Sequence, residues 1–541
     1  MNIFTKILIC LLAFVALGNP SFSQKKKKNV VPRGWQHDDL KKDKLFGVSD
    51  KKAYEELLQG KKSTPIIVAV IDGGTDTKHK DLINVLWTNP KEIAGNGKDD
   101  DNNGYVDDIN GWNYIGGKDS MVEEDTYEAT RIYGKFLSKY ESLDPAKVTD
   151  KDRNEYELYQ KAKEFHLKKV DENKKQLEYL SGLKDSLKKA FDGIKNNIRK
   201  GGDSVTVKTL GKYKAHGDLE KKSLRYLTNL TRAALPESFI LDQLEAGAAR
   251  ITHTLDYSLN PDFNPRTIVG DNYNDIDQRN YGNNKLDGPK AGHGTHVAGI
   301  IAAERGNNYG MDGIADNAKI MVLRVVPDGD ERDKDIANAI RYATDNGAKI
   351  INMSFGKDFS PGKYKVDEAV KYAVSKNVIL VHAAGNDSKN NDKDDNFPCD
   401  VYDNSTDTAS TWIEVGASSS KKDKTLPASF SNYGKTNVDL FAPGTEIYST
   451  VPDDKFDSYQ GTSMAAPVVA GVAALLWSYF PELTSAQVKQ ILISSCTPMN
   501  KKVIVPGTPK EKVKMNALCQ SGGVVNAYSA VKMAMEITAK K

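Results

Sequence analysis

Five short runs decide what this chain can become: TPIIVAVID (64–72), AKIMVLRVV (318–326), AKIINMSFG (348–356), NVILVHAAG (377–385) and TWIEVGASS (411–419). Each is dense in Val, Ile and Leu with little polar alternation, as a strand buried on both faces requires. Helical patterns such as DIANAIRYATDNG (335–347) and VDEAVKYAVSKN (366–377) stand between them and close on Gly or Asn, a common helix C-terminus. The alternation predicts an α/β fold with a doubly wound, mostly parallel sheet covered by helices on both faces.

Residues 119–262 break that rhythm, being rich in Lys and Glu and poor in β-branched runs. Val170, Leu177, Leu180, Leu187, Phe191, Ile194 and Ile198 fall at near-heptad gaps, which predicts one long helix with an apolar stripe. The segments 218–235 and 237–251 are expected to pack against it. The chain thus divides into residues 61–118 and 263–541, which carry the sheet, and a large helical insertion at 119–262. An N-terminal segment, 24–60, precedes them.

Residues 1–23 read as a secretory signal: Lys6 begins it, ILICLLAFVALG is its apolar stretch, and Ser21 and Ser23 supply small residues near a cleavage point. The apolar run is too short to span a bilayer, so the mature chain is expected to be exported, periplasmic or extracellular, without a transmembrane segment. Removing the signal leaves Cys399, Cys496 and Cys519. Cys496 and Cys519 flank a Lys- and Pro-containing loop and make the better disulfide pair, with one thiol staying free. The 541 residues hold 76 basic and 73 acidic side chains, so no general electrostatic attraction to nucleic acid exists.

Three places carry chemistry. Asp72 ends the first strand, on the side where open α/β sheets keep their functional residues. AGHGTHVAGIIAAE (291–304) opens an apolar helix with two histidines, and His293 lies between Gly292 and Gly294, which leave backbone room for a substrate. YQGTSMAAPVVAGVAALLWSYF (459–480) sets Ser463 at the start of a long apolar helix. Ser463 there is either a helix cap or a nucleophile whose developing oxyanion gains from free N–H groups. A serine hydroxyl needs an imidazole to take its proton, and the imidazole needs a carboxylate to fix its tautomer. Asp72, His293 and Ser463 supply those three groups.

The three motifs, in the order Asp, His, Ser, resemble the subtilisin-like serine proteases over about residues 61–118 and 263–541. The resemblance implies a serine endopeptidase acting on protein or peptide substrates, with no catalytic cofactor. It further implies that Asn386, in HAAGND (382–387), is the side-chain oxyanion donor beside the N–H of Ser463. Ser354, Phe355 and Gly356 resemble the edge strand that pairs with substrate backbone, and Asn396, in NFPC, the floor of the pocket for the residue before the cut. One departure is Gly73, where the family usually has Ser or Thr, which is expected to remove a hydrogen bond from Asp72. It leaves an alternative open: a weak or inactive subtilase fold that binds or scaffolds. Residues 24–60 are also too few for a separately folded pro-domain.

GNGKDDDNNGYVDDINGW (95–112) holds Asp99, Asp101, Asn103, Gly104 and Asp107 at the alternate spacing that lets oxygens converge on Ca²⁺, without the Glu that ends an EF-hand loop. Asp81 together with Asn307, in RGNNYG (305–310), resembles a second calcium site of the family. The helical insertion leaves and re-enters between Asp72 and His293, which suits a lid, an inhibitor or a docking arm for a partner as well as a passive decoration.

Overall fold

The computed structural model describes residues 31–539; the secretory-signal reading falls outside them. They form two compact units, one of residues 129–263 and the other of residues 31–128 and 264–539.

The larger unit is built on a sheet of strands β1 (Ile66–Asp72), β2 (Gly111–Asn113), β3 (Ala318–Arg324), β4 (Ile350–Met353), β5 (Ile379–Ala383), β6 (Trp412–Ser418) and β7 (Leu440–Pro443). They run parallel in the order β7-β6-β5-β4-β1-β3-β2. Gly523–Val524 extends it in parallel beyond β7, and Thr497–Pro498 closes that edge antiparallel. Alternate side chains of one strand feed two different cores. Val68 and Val70 join the core that holds Val297, Ile300 and Ile301 of the helix Gly292–Ala302 and Val468, Val469 and Leu475 of the helix Thr462–Tyr479. Ala69 and Ile71 join the other, with Ile336 and Ile340 of Asp333–Asp345 and Val366 and Val370 of Lys363–Ser375. The fold is α/β and doubly wound, as the sequence predicts.

Two stretches lie differently from the expected boundaries. Trp35, Phe46, Val48 and Ala53 of the N-terminal segment are fully buried within the sheet-bearing unit, where Val48 and Phe46 enter its cores. Residues 119–128 also stay with the sheet, because Val122 joins its second core and Asp125 pairs with Arg332 at 2.7 Å.

In the helical unit a 48-residue helix, Arg153–Lys200, packs Leu180, Leu187, Phe191, Ile194 and Ile198 against Leu227 and Leu230 of Gly217–Arg232 and Ile240, Leu244 and Ile251 of Ser238–Asp256. Val170 is outside that cluster. It falls between this seam and a second one, where His166 and Tyr159 meet Tyr133 at ring distances of 4.6 and 6.1 Å.

Cys399, Cys496 and Cys519 are free thiols, which overturns the expected disulfide. Cys496 donates to the Leu492 carbonyl at 3.3 Å and Cys519 to that of Met515 at 3.9 Å, so each Sγ turns to its own preceding turn. Burial pushes the two thiols up to about 12 and about 11, away from the thiolate that exchange requires.

Thr462–Tyr479 is the one helix among the described residues long and apolar enough to cross a membrane, but 89% of it is buried in this fold. Leu475→Ala in this helix is expected to cost about 2–5 kcal/mol in denaturant unfolding, because a rigid core relaxes little around the lost methyls. A cost under about 1 kcal/mol would mean that the helix is not held by packing.

Candidate active site

Parallel register brings separate segments to one end of the sheet. Ile71 of β1 faces Met353 of β4, so Asp72 and Ser354, each one residue further on, are neighbours. Met353 in turn faces His382 of β5, the strand that leads to Asn386.

Asp72 is 3% exposed, and His293, the second residue of its helix, brings Nδ1 to 2.8 and 2.9 Å from the two carboxylate oxygens. Gly294 makes the approach feasible: a Cβ there would lie 2.1 Å from the Gly74 carbonyl oxygen. Withdrawal from water lowers the His293 pKa, but the Asp72 carboxylate outweighs it, and the net value is above the ordinary one. The ring keeps 41% of its side-chain surface open. His296 is different. Burial pushes it down to about 4, its Nε2 faces the carbonyls of Ile447 and Asp457 at 3.0 and 3.2 Å, and its ring stacks on Tyr459. His293 is therefore the histidine equipped to hold and release a proton. Gly73 does not leave Asp72 unsupported, because its own backbone N–H donates to Asp72 Oδ1 at 2.7 Å.

Ser463 is the second residue of the helix Thr462–Tyr479, in whose first turn the backbone N–H groups have no helical partner. Pro467 lies four residues on and has no N–H, so the Ser463 carbonyl lacks the usual helical donor. The Ser354 hydroxyl takes that place at 2.9 Å, and the Ser463 hydroxyl donates back to the Ser354 carbonyl at 3.1 Å. Asn352 Nδ2 donates to the Ser354 hydroxyl at 2.9 Å and fixes its direction.

Asn386 follows Gly385, whose φ of +103° belongs to the region glycine favours. The Asn386 side-chain oxygen accepts from Thr462 N at 2.9 Å and Thr462 Oγ1 at 3.2 Å, and Gly385 N donates to Thr462 Oγ1 at 3.1 Å. With its oxygen committed, Asn386 has its NH2 to offer. A methyl placed on Gly461 would lie 3.6 Å from Ser463 N and from Asn386 Oδ1 and 3.7 Å from Asn386 Nδ2, so the Asn386 amide and the Ser463 N–H border one spot.

The remaining wall is continuous with these residues. Lys357 pairs with Phe397 through two backbone bonds of 2.9 Å, and a Cβ on Gly356 would meet Asn396 Oδ1 at 2.7 Å. Asn396 Nδ2 donates to the carbonyls of Ala383 and Ala384 at 3.3 and 3.2 Å. Phe355 sets its ring edge-on to His382 at 6.4 Å. Segments 354–357, 396–397, 383–386 and 462–463 are thus linked in a ring of hydrogen bonds.

The expected metal ligands divide. Asp81 is fully buried and accepts from Asn307 Nδ2 at 2.7 Å and Met311 N at 3.0 Å, neutral donors that leave its charge uncompensated, and burial raises its pKa. Asp99 and Asp101 meet Glu92, their carboxylates each offering an oxygen within 4.8 Å of the others. Glu92 Oε1 accepts from Asp100 N and Asp101 N, while Oε2 is buried with no protein partner. Asn103 and Asp107 lie outside that carboxylate group. The Asn103 side chain bonds Tyr105 N and Asp108, and Asp107, at a φ of +52°, spends both oxygens on the N–H groups of Gly95, Asn96 and Gly97. Alternate spacing does not tell which side chains converge once the loop backbone turns. Glu92 lies outside the repeating pattern, and nothing in the sequence marks it. All-carboxylate oxygens suit a hard ion such as Ca²⁺.

Residues 194–523 match the model of the Subtilase family, a stretch that contains His293, Asn386 and Ser463 and begins after Asp72. The chain is 41% identical over 227 residues to the thermophilic serine proteinase of Bacillus sp. (strain AK1), covering 41% of this chain and 50% of that protein. It is 38% identical over 208 residues to subtilisin DY of Bacillus licheniformis, covering 38% and 70%. With thermitase of Thermoactinomyces vulgaris it shares 34% over 298 residues, covering 55% and 92%. The chain belongs to the subtilase family, the family of the proteinases just named.

Proposed function

We propose that this chain is an exported serine endopeptidase that cuts polypeptides through an acyl-enzyme. The observation that carries the reading is the two-oxygen grip of Asp72 on His293 Nδ1, which turns Nε2 outward as the free nitrogen. A substrate strand laid along Ser354–Gly356 competes with Ser463 for the Ser354 carbonyl, freeing the hydroxyl to turn to His293. Ser463 Oγ then attacks the substrate carbonyl carbon while its proton passes to His293 Nε2. The oxyanion gathers the N–H of Ser463 and the NH2 of Asn386. His293 returns the proton to the departing amine, and water repeats the sequence to free the acid. Asp72 orients the ring and offsets its charge.

Calcium belongs to the proposal as a structural ion, held by Asp81 with the 306–311 loop and by Glu92, Asp99 and Asp101. It supplies charge balance to carboxylates that neutral donors leave uncompensated. The helical unit takes no part in the chemistry, and its lysine-rich surface is where we place partner docking.

Ser463→Ala is expected to abolish labelling by a fluorophosphonate and peptide hydrolysis while the protein stays folded; a folded variant that still hydrolyses peptides refutes the reading. Asn386→Ala should keep a residue of activity, down by the roughly 10²–10³ that loss of such a donor costs a subtilisin.

Because Asp72 raises the His293 pKa, kcat/KM should climb with pH through a midpoint above the ordinary histidine value, as the base becomes neutral. The same shift stabilises the fold fully below the unfolded pKa, and that contribution is lost as pH rises through the folded one. Asp72→Asn should move the activity midpoint down and lower the rate by about 10⁴. An unmoved midpoint would assign the limb to another group.

Calcium at a hundred times its Kd should stabilise the folded protein by about 2.7 kcal/mol for each independent site, read as a rise in Tm over the chelated protein. Glu92→Gln should remove part of that rise. A Tm indifferent to both chelator and calcium excludes the ion.

A further inference from the structure

Lys357 directly follows the segment read above as the substrate strand, and it is fastened at both ends. Its backbone N–H and carbonyl pair with Phe397, next to Asn396 on the pocket floor, at 2.9 Å each. Its side chain is fully buried. Nζ lies 2.7 Å from Asp333 Oδ1, 2.8 Å from the Glu331 carbonyl and 3.1 Å from Glu128 Oε2, an acceptor for each of the three ammonium hydrogens.

The acceptors are themselves held. Asp333 also accepts from Ser360 Oγ at 2.8 Å and Gly362 N at 2.7 Å, and Glu128 N donates to Asp330 at 2.8 Å. A buried charge in such a pairing gains little stability over an apolar packing of the same size, but it fixes a direction that an apolar side chain does not.

We propose that Lys357 is a positioning residue for specificity. Its buried ammonium sets the register of residues 356–357 against Asn396 and Phe397, and so the shape of the pocket for the residue before the cut, while Ser354 is held separately by its own two bonds to Ser463. It acts through Gly356 and Phe397 without touching substrate. The inference rests on the protease reading and deepens it by locating a determinant of substrate selection behind the cleft wall.

Lys357→Met in the full chain tests it, with a fluorophosphonate to report on Ser463 and a series of peptides differing only in the residue before the cut. The labelling rate is expected to stay at the wild-type value. For peptides with Leu or Phe before the cut, kcat/KM should fall by roughly 10²-fold, the scale of an ångström misplacement, and mostly through KM. With Gly at that position the loss should be small. An equal loss across the series, a labelling rate that falls in step with it, or unchanged kinetics each overturns the proposal.

Should Lys357→Met fail to fold, Glu128→Gln keeps an acceptor and removes one charge. It should shift the series in the same direction by less, and a profile identical to the wild type rejects the proposal. Wild-type protein that takes no fluorophosphonate refutes the protease reading itself, a result distinct from labelled protein with a flat peptide profile.

Discussion

The cleft depends on what Pro467 withholds. Anywhere else in a buried helix a proline costs a hydrogen bond and leaves a carbonyl wanting a donor. Here the carbonyl is that of Ser463, and the donor that arrives is the Ser354 hydroxyl from the end of β4. The helix defect becomes a joint between sheet and helix. Through it the Ser463 hydroxyl is directed to the Ser354 carbonyl, which ties the first turn of the helix to the end of β4. The joint stays in place because the rest of the helix has nowhere else to go: Val468, Val469, Val472 and Leu475 are fully buried.

That arrangement separates two physical jobs. Dispersion and the hydrophobic effect hold the His293 and Ser463 helices against one face of the sheet, without direction and over a large area. Direction comes from a few hydrogen bonds at the carboxyl ends of the strands, where the backbone is no longer spent on the ladder. Asp72 on His293, Thr462 on Asn386 and Ser354 on Ser463 are all of this kind. Each is a side chain at the last residue of a strand, or just past it, meeting the first turn of a helix.

The sheet was legible because burial on both faces writes itself as unbroken Val, Ile and Leu runs, and all five runs became neighbouring parallel strands. Asp72, His293 and Ser463 stood out as motifs, and the structure sets His293 Nδ1 on the Asp72 carboxylate. What could not be read is what depends on long-range register or on backbone turns. Ser354 was marked, but its two bonds to Ser463 link residues 109 apart. Asp107 carries the ligand type and the spacing, yet a left-handed φ turns it onto three N–H groups. Cys496 and Cys519 were paired by sequence context, while the structure gives each thiol a carbonyl of its own preceding turn. Val170 continues a numerical pattern whose physical seam has already ended.

The buried charges follow a further division. Several buried carboxylates are met by a side-chain cation from another segment: Lys357 on Glu128 and Asp333, Arg332 on Asp125, Arg266 on Asp335. A cation on a side chain carries the geometry of its own backbone, so each pair fixes two segments relative to one another. Asp81 and the Glu92, Asp99 and Asp101 group sit instead in loops and meet only neutral donors. A carboxylate in low dielectric without a counter-charge is costly, and protonation or an ion relieves it. A free ion imposes no second backbone position, so it suits loops whose only task is to stay folded. Covalently borne cations therefore tie segments to one another through opposite charge, which the neutral donors around Asp81 and Glu92 do not supply.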